Sequence, residues 1–111
     1  MTQHQELREA LSNLEAALQA ADLWTIVQPE AKAFESTQPF CIDTMTLPQW
    51  LRFLLVPRLW SLIDAKATLP TNSQIAPAAE VYMQDYSLGA RQSVVGALQK
   101  LDRVMNEGGR S

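Results

Sequence analysis

The sequence predicts an all-α fold, a compact array or bundle of about five helices with a proline-kinked hydrophobic helix at its centre. Three observations lead there. Leu7, Leu11, Leu14 and Leu18 recur at helical spacing near one end, and Leu88, Val94, Val95, Leu98, Leu101, Val104 and Met105 supply the core side of a helix near the other. Between them, Trp50 to Ile63 is apolar nearly all round, as in a helix covered on several sides. Helix-start chemistry then falls where these patterns need it, at Thr46 with Gln49 and at Ser87.

Taken in order, the first helix runs from about Gln3 to Ala21, its stripe formed by Leu7, Leu11, Leu14, Leu18 and Ala21. Ala10, Ala16, Ala17 and Ala20 raise its propensity and permit close packing. Pro29 is placed to open a short helical turn through Phe34, which the residue before Pro39 then ends. From Ser36 to Met45 no period is visible, but Phe40, Ile42 and Met45 are apolar, so the segment reads as an ordered loop pinned by its side chains. Such a loop must satisfy its backbone locally, and Asp43, Thr44 and Thr46 are suited to that. Thr46 and Gln49 form a capping-box pattern with Pro48 in the first turn of the helix that follows. Pro57 should kink that helix, because its ring cannot accommodate the bond to the carbonyl of Phe53. Leu69 to Ser73 is a loop, Pro77 opens a short helix through about Asp85, and Ser87 caps the last helix, stopped by Gly108 and Gly109.

The 111 residues read as a single domain, 1–111, since a split would leave pieces too small to close a core. A net charge of −3 repels a phosphate backbone, and no run of Lys or Arg offsets it, so direct nucleic-acid binding is not expected. One cysteine, Cys41, excludes an internal disulfide and any multi-cysteine metal site, and favours a reducing compartment. Met1 to Glu6 shows no signal-peptide pattern, and the apolar run Phe53 to Val56 is far short of the ~20 residues that span a bilayer, so the expectation is cytoplasmic with no membrane partner.

Catalytic chemistry finds little support. His4 falls in the first helical turn and reads as a surface residue; Cys41 reads as a buried structural thiol. Neither a metal-ligand spacing nor a glycine-rich phosphate loop is present, so no cofactor is expected. Asp43, flanked by apolar residues, is the best candidate carboxylate, with a turn or helix-entry cap as the favoured reading. Lys100-Leu101-Asp102-Arg103 is similar to the Arg-Leu-Asp tripeptide of pseudouridine synthases, but it lies on what reads as a surface helix without the surrounding loop. Only Asp43, Arg52 and Arg58 carry charge between Ser36 and Ile63, so each must find a partner or reach water. For Arg58 a structural brace to Asp43 or Asp64 is favoured over an exposed anchor among Trp50, Phe53 and Trp60.

At Ser36 to Phe40, Asp43 to Met45, Trp50-Leu51 and Val56-Pro57-Arg58, and more weakly at Leu69-Pro70, Ile75 to Pro77 and Lys100 to Asp102, the chain resembles the YqcC-like family of small bacterial proteins. That resemblance implies an all-helical array of about five helices and carries over no catalytic residue. It also implies a setting, because family members are encoded near a transfer-RNA pseudouridine synthase. The family's motif positions are Gln38, Phe40, Asp43, Met45, Trp50, Pro57 and Arg58. The resulting expectation is a non-catalytic accessory or protein-interaction protein whose partner is a tRNA-modifying enzyme. Its contact surface is placed at Gln38, Phe40, Asp43, Met45, Trp50, Phe53 and Arg58. The alternative is a small-ligand-binding protein or enzyme with a pocket between the 38–45 loop and the 50–60 helix, Asp43 and Arg58 supplying its polar groups.

Overall fold

Helix α1 (Gln3–Ala20) starts at a capping box: the Thr2 hydroxyl accepts from the Gln5 amide, and the Gln5 side chain accepts from the Thr2 amide. Its stripe is buried as expected, Leu7, Leu11, Leu14 and Leu18 completely so, with Ala10 and Ala17 beside them. In this computed structural model, which describes residues 2–107, α1 pairs most extensively with α5 (Leu88–Glu107). The two run antiparallel, since the Gln3 side chain at the start of α1 donates to the carbonyls of Val104 and Met105 in the last turns of α5. That bond also serves carbonyls that have no intrahelical partner at a helix end. Ser87 caps α5 as expected, its hydroxyl accepting from the Ala90 amide. The proposed stop at Gly108 and Gly109 lies outside the described residues.

The centre of the molecule is therefore the α1–α5 seam, and the expectation that the middle helix would be central is corrected. That middle rod packs against α1 instead, and the Trp60 indole donates to Glu15 of α1 at 3.1 Å. It comprises α2 (Leu47–Trp50), a π-helical turn (Leu51–Leu55) and α3 (Val56–Asp64), on one right-handed helical path. Thr46 and Gln49 make the expected capping box. The expected disturbance at Pro57 takes the form of the π turn directly before it. In an α-helix the proline ring would strike the carbonyl four residues back. Spreading the turn, so that the Val56 amide reaches the Leu51 carbonyl, moves that carbonyl aside.

Both α1 and α3 end in Schellman motifs without glycine. Leu23 and Asp22 donate back to Leu18 and Gln19, while Ala67 and Lys66 donate back to Leu62 and Ile63. The left-handed residues are Asp22 (φ 60°) and Lys66 (φ 53°), where glycine would sit without strain. Lys66→Gly is accordingly expected to stabilise the fold by about 1 kcal/mol, read as a raised midpoint in urea with unchanged slope.

Helix α4 (Ile75–Tyr82) begins two residues before Pro77 and buries Ile75, Ala76 and Ala79, with Met83 just beyond, while Val81 and Tyr82 are exposed. The expected boundaries, Pro77 to Asp85, are corrected, and of the apolar residues Val81, Tyr82 and Met83 read for this helix only Met83 is turned into the core. The short turn expected from Pro29 is a 3₁₀ turn over Ala31–Glu35. Leu88, expected in the core, is 58% exposed.

Candidate functional site

The segment after that 3₁₀ turn carries the most unusual backbone in the chain. Phe40 (φ 58°) and Cys41 (φ 49°) are consecutive non-glycine residues in the left-handed region. For a ring-bearing side chain this is an outlier, and such residues cost about 1–3 kcal/mol each. What holds them is visible. The Phe40 ring stands edge-on to Trp50, with centroids 4.9 Å apart and planes at 88°. It also lies 6.5 Å from Tyr82 of α4. In the same loop Cys41 and Met45 are buried. The loop satisfies its own backbone as expected: Cys41 donates to Gln38, Ile42 to Pro39, and Thr44 and Met45 to Cys41. Side chains complete it, with Thr44 donating to the Ala33 carbonyl at 2.7 Å and Ser36 to Asp43. The Ser36 hydroxyl in turn accepts from the Gln38 amide.

Trp50, Phe40 and Tyr82 thus form an aromatic strip from the middle rod, across the loop, to α4. Trp50 and Phe40 are half-buried against the core and Tyr82 is 43% exposed. Aromatic rings that keep one edge wet are the groups enriched at protein interfaces. Of the residues expected at the site, Phe40 and Trp50 meet directly. Gln38 is exposed at the start of the loop, and Met45 at its end is buried. Tyr82 was missed, because nothing in the sequence links α4 to a loop forty residues earlier.

The three charges of the middle segment resolve differently. Asp43 is exposed and accepts from Ser36, the turn role that its position suggests. Arg52 donates from Nε to the Trp24 carbonyl at 3.1 Å, with its guanidinium carbon 3.8 Å from the Trp24 ring centroid and 5.0 Å from that of Phe53. Contacts of this kind contribute about 0.5–2 kcal/mol each. Together with Gln49, which donates to the Val27 carbonyl, Arg52 straps the 21–30 connector onto the rod. Arg58 is exposed, so the favoured bracing role is corrected: the brace is Arg52.

His4 and Asp102 are both occupied structurally. His4 is half-buried, not a free surface residue, and its Nε2 donates to the Ala67 carbonyl at 2.7 Å. Asp102 is buried at 7% exposure, correcting the reading of its helix face as surface. Its Oδ1 accepts from the Ile75 amide and the Ser73 hydroxyl, and its Oδ2 from the Ala76 amide at 2.8 Å. It is the N-terminal cap of α4, supplied from another helix, and the next residue, Pro77, has no amide to satisfy. Asn106, one turn later, exchanges two hydrogen bonds with the backbone of Ser73. Among the described residues no group of three His, Cys, Asp or Glu is placed to hold a metal ion, and no helix is long and apolar enough to cross a membrane. The cleft beside the loop, about 540 Å³, is lined by Pro29, Glu30, Lys32, Ser36, Thr44 and Gln49; neither Asp43 nor Arg58 borders it. It reaches the loop through Ser36 and Thr44, while Phe40 packs on Trp50 between the loop and the rod.

These features define a class first: a small helical protein whose polar machinery is spent on its own architecture and whose aromatic surface is held in place by a strained loop. A family model described as tRNA pseudouridine synthase C matches residues 6–104, and the chain belongs to that family. It is 38% identical to the uncharacterized protein YqcC of Escherichia coli K12, over 94% of each chain. It is 31% identical to an uncharacterized protein of Haemophilus influenzae, over 91% of this chain and 93% of that one. A protein named tRNA pseudouridine synthase C from Pectobacterium carotovorum is 39% identical over 63% of this chain, yet the match spans only 19% of that protein. The solution NMR structure of E. coli YqcC superposes with a TM-score of 0.79 at 37% identity, covering 95% of this chain and 89% of that one. The resemblance read from the 36–58 motif is thereby shown.

Proposed function

We propose that this protein is a cytoplasmic, non-catalytic accessory partner of a tRNA pseudouridine synthase, docking through the Phe40–Trp50–Tyr82 strip. Gln38, Asp43, Phe53 and Arg58 form its periphery. The observation that carries the reading is Phe40: a bulky residue kept left-handed so that its ring stands half-exposed between Trp50 and Tyr82. Backbone strain of that kind concentrates at ligand clamps and binding loops. Support for the partner comes from the Pectobacterium protein, which bears the synthase name and matches this chain over only a fifth of its length. The stretch shared with this chain is thus a small part of a protein that bears the synthase name, and this supports a synthase as the partner.

Co-expression of the tagged protein with the pseudouridine synthase C of the same organism tests this. The synthase is expected to co-purify before and after ribonuclease treatment, and to be lost with a folded Tyr82→Ala/Phe40→Ala variant. Co-purification abolished by ribonuclease would mean that RNA bridges the two, and the docking reading would fall.

A further inference from the structure

We propose that residues 36–45 form a strained latch that opens locally while the helical core stays folded, lifting Phe40 off Trp50 and Tyr82 and uncovering Cys41. This regulates the docking face and rests on that reading of it, but its test needs no partner.

Three observations combine. Phe40 and Cys41 are successive left-handed residues, so an open loop regains ordinary backbone angles at both positions. Opening is opposed by the seat of the Phe40 ring, edge-on to Trp50 at 4.9 Å and 6.5 Å from Tyr82, and by the burial of Cys41 and Met45. The loop's side-chain bonds, Ser36 to Asp43, Gln38 to Ser36 and Thr44 to Ala33, are solvent-exposed, and water replaces them readily. Such segments occupy the low end of the local-stability range. Within the loop, next to Phe40 in sequence, Cys41 is 6% exposed and the one cysteine in the chain, which makes its thiol a reporter of opening. Closed and open states thus differ by the ring seat and the burial of Cys41 and Met45 on one side and relief of backbone strain on the other. A partner covering the strip binds the closed state alone and shifts the population toward it.

The test is the rate at which the native protein reacts with Ellman's reagent in urea below the unfolding transition, with circular dichroism confirming the fold of each variant. The wild-type rate is expected to be nearly independent of urea, since local opening exposes little surface. Phe40→Ala and Tyr82→Ala should each raise it about tenfold, and Val81→Ala, a 58%-exposed neighbour, should leave it unchanged. Should Phe40→Ala not fold, Tyr82→Ala decides alone. A rate that climbs with the slope of global unfolding, or one that neither variant moves, overturns the latch. Lost docking with these kinetics intact would sink the docking reading only; the reverse result would sink the latch only.

Discussion

Asp102→Ala is expected to destabilise the protein by about 2–4 kcal/mol and to loosen the first turn of α4. The variant leaves the amides of Ile75 and Ala76, both in buried residues, without an acceptor, and frees Ser73 from one of its two anchors on α5. Each bond lost is to a charged acceptor, the stronger kind. Asp102→Asn keeps one acceptor oxygen and should lose roughly half as much. Urea denaturation followed by circular dichroism measures both. A catalytic aspartate would show the opposite pattern, with stability kept and an activity lost. A cost below about 0.5 kcal/mol for Asp102→Ala would contradict the capping role.

The second large effect is at the seam. Leu98→Ala should cost about 3–5 kcal/mol, because Leu98 is fully enclosed on the core side of α5, the helix that packs on both α1 and α4. Against a typical total of about 5–15 kcal/mol this removes a large share of the stability. Leu54→Ala, on the half-exposed side of the π turn, should cost less than about 1 kcal/mol although it removes the same atoms. Equal losses at Leu54 and Leu98 would mean that the middle rod, and not the α1–α5 seam, organises the core.

The local features of the sequence were readable. A four-leucine stripe on α1, the Thr46–Gln49 capping box and Ser87 as a cap each involve residues three or four apart, and all stand in the structure. The Thr2–Gln5 box has the same signature and could have been read from it. Long-range features were not readable. Asp102 caps a helix that begins twenty-seven residues earlier, and it looks like one more charged residue of an amphipathic helix until α4 is laid against it. Arg52 and Arg58 differ by six positions in the same apolar segment, and only the path of the 21–30 connector decides which of them is covered. The middle helix misled for a related reason: a helix apolar all round is read as central, whereas here part of that surface faces outward as Trp50, Phe53 and Leu54. Two of the three rings of the aromatic strip, Phe40 and Trp50, were visible in the 36–50 motif. Tyr82, on α4, was not, because it joins the strip only through the fold.

Titration calorimetry of the purified synthase with this protein tests the docking account most directly, comparing wild type with folded Tyr82→Ala, Phe40→Ala and Lys100→Ala variants. The account predicts a complex in the absence of RNA, weakened tenfold to a hundredfold, about 1.4–2.8 kcal/mol, by each aromatic truncation and unchanged by Lys100→Ala on α5. Binding that ignores Tyr82 and Phe40, or no binding without RNA, would contradict it.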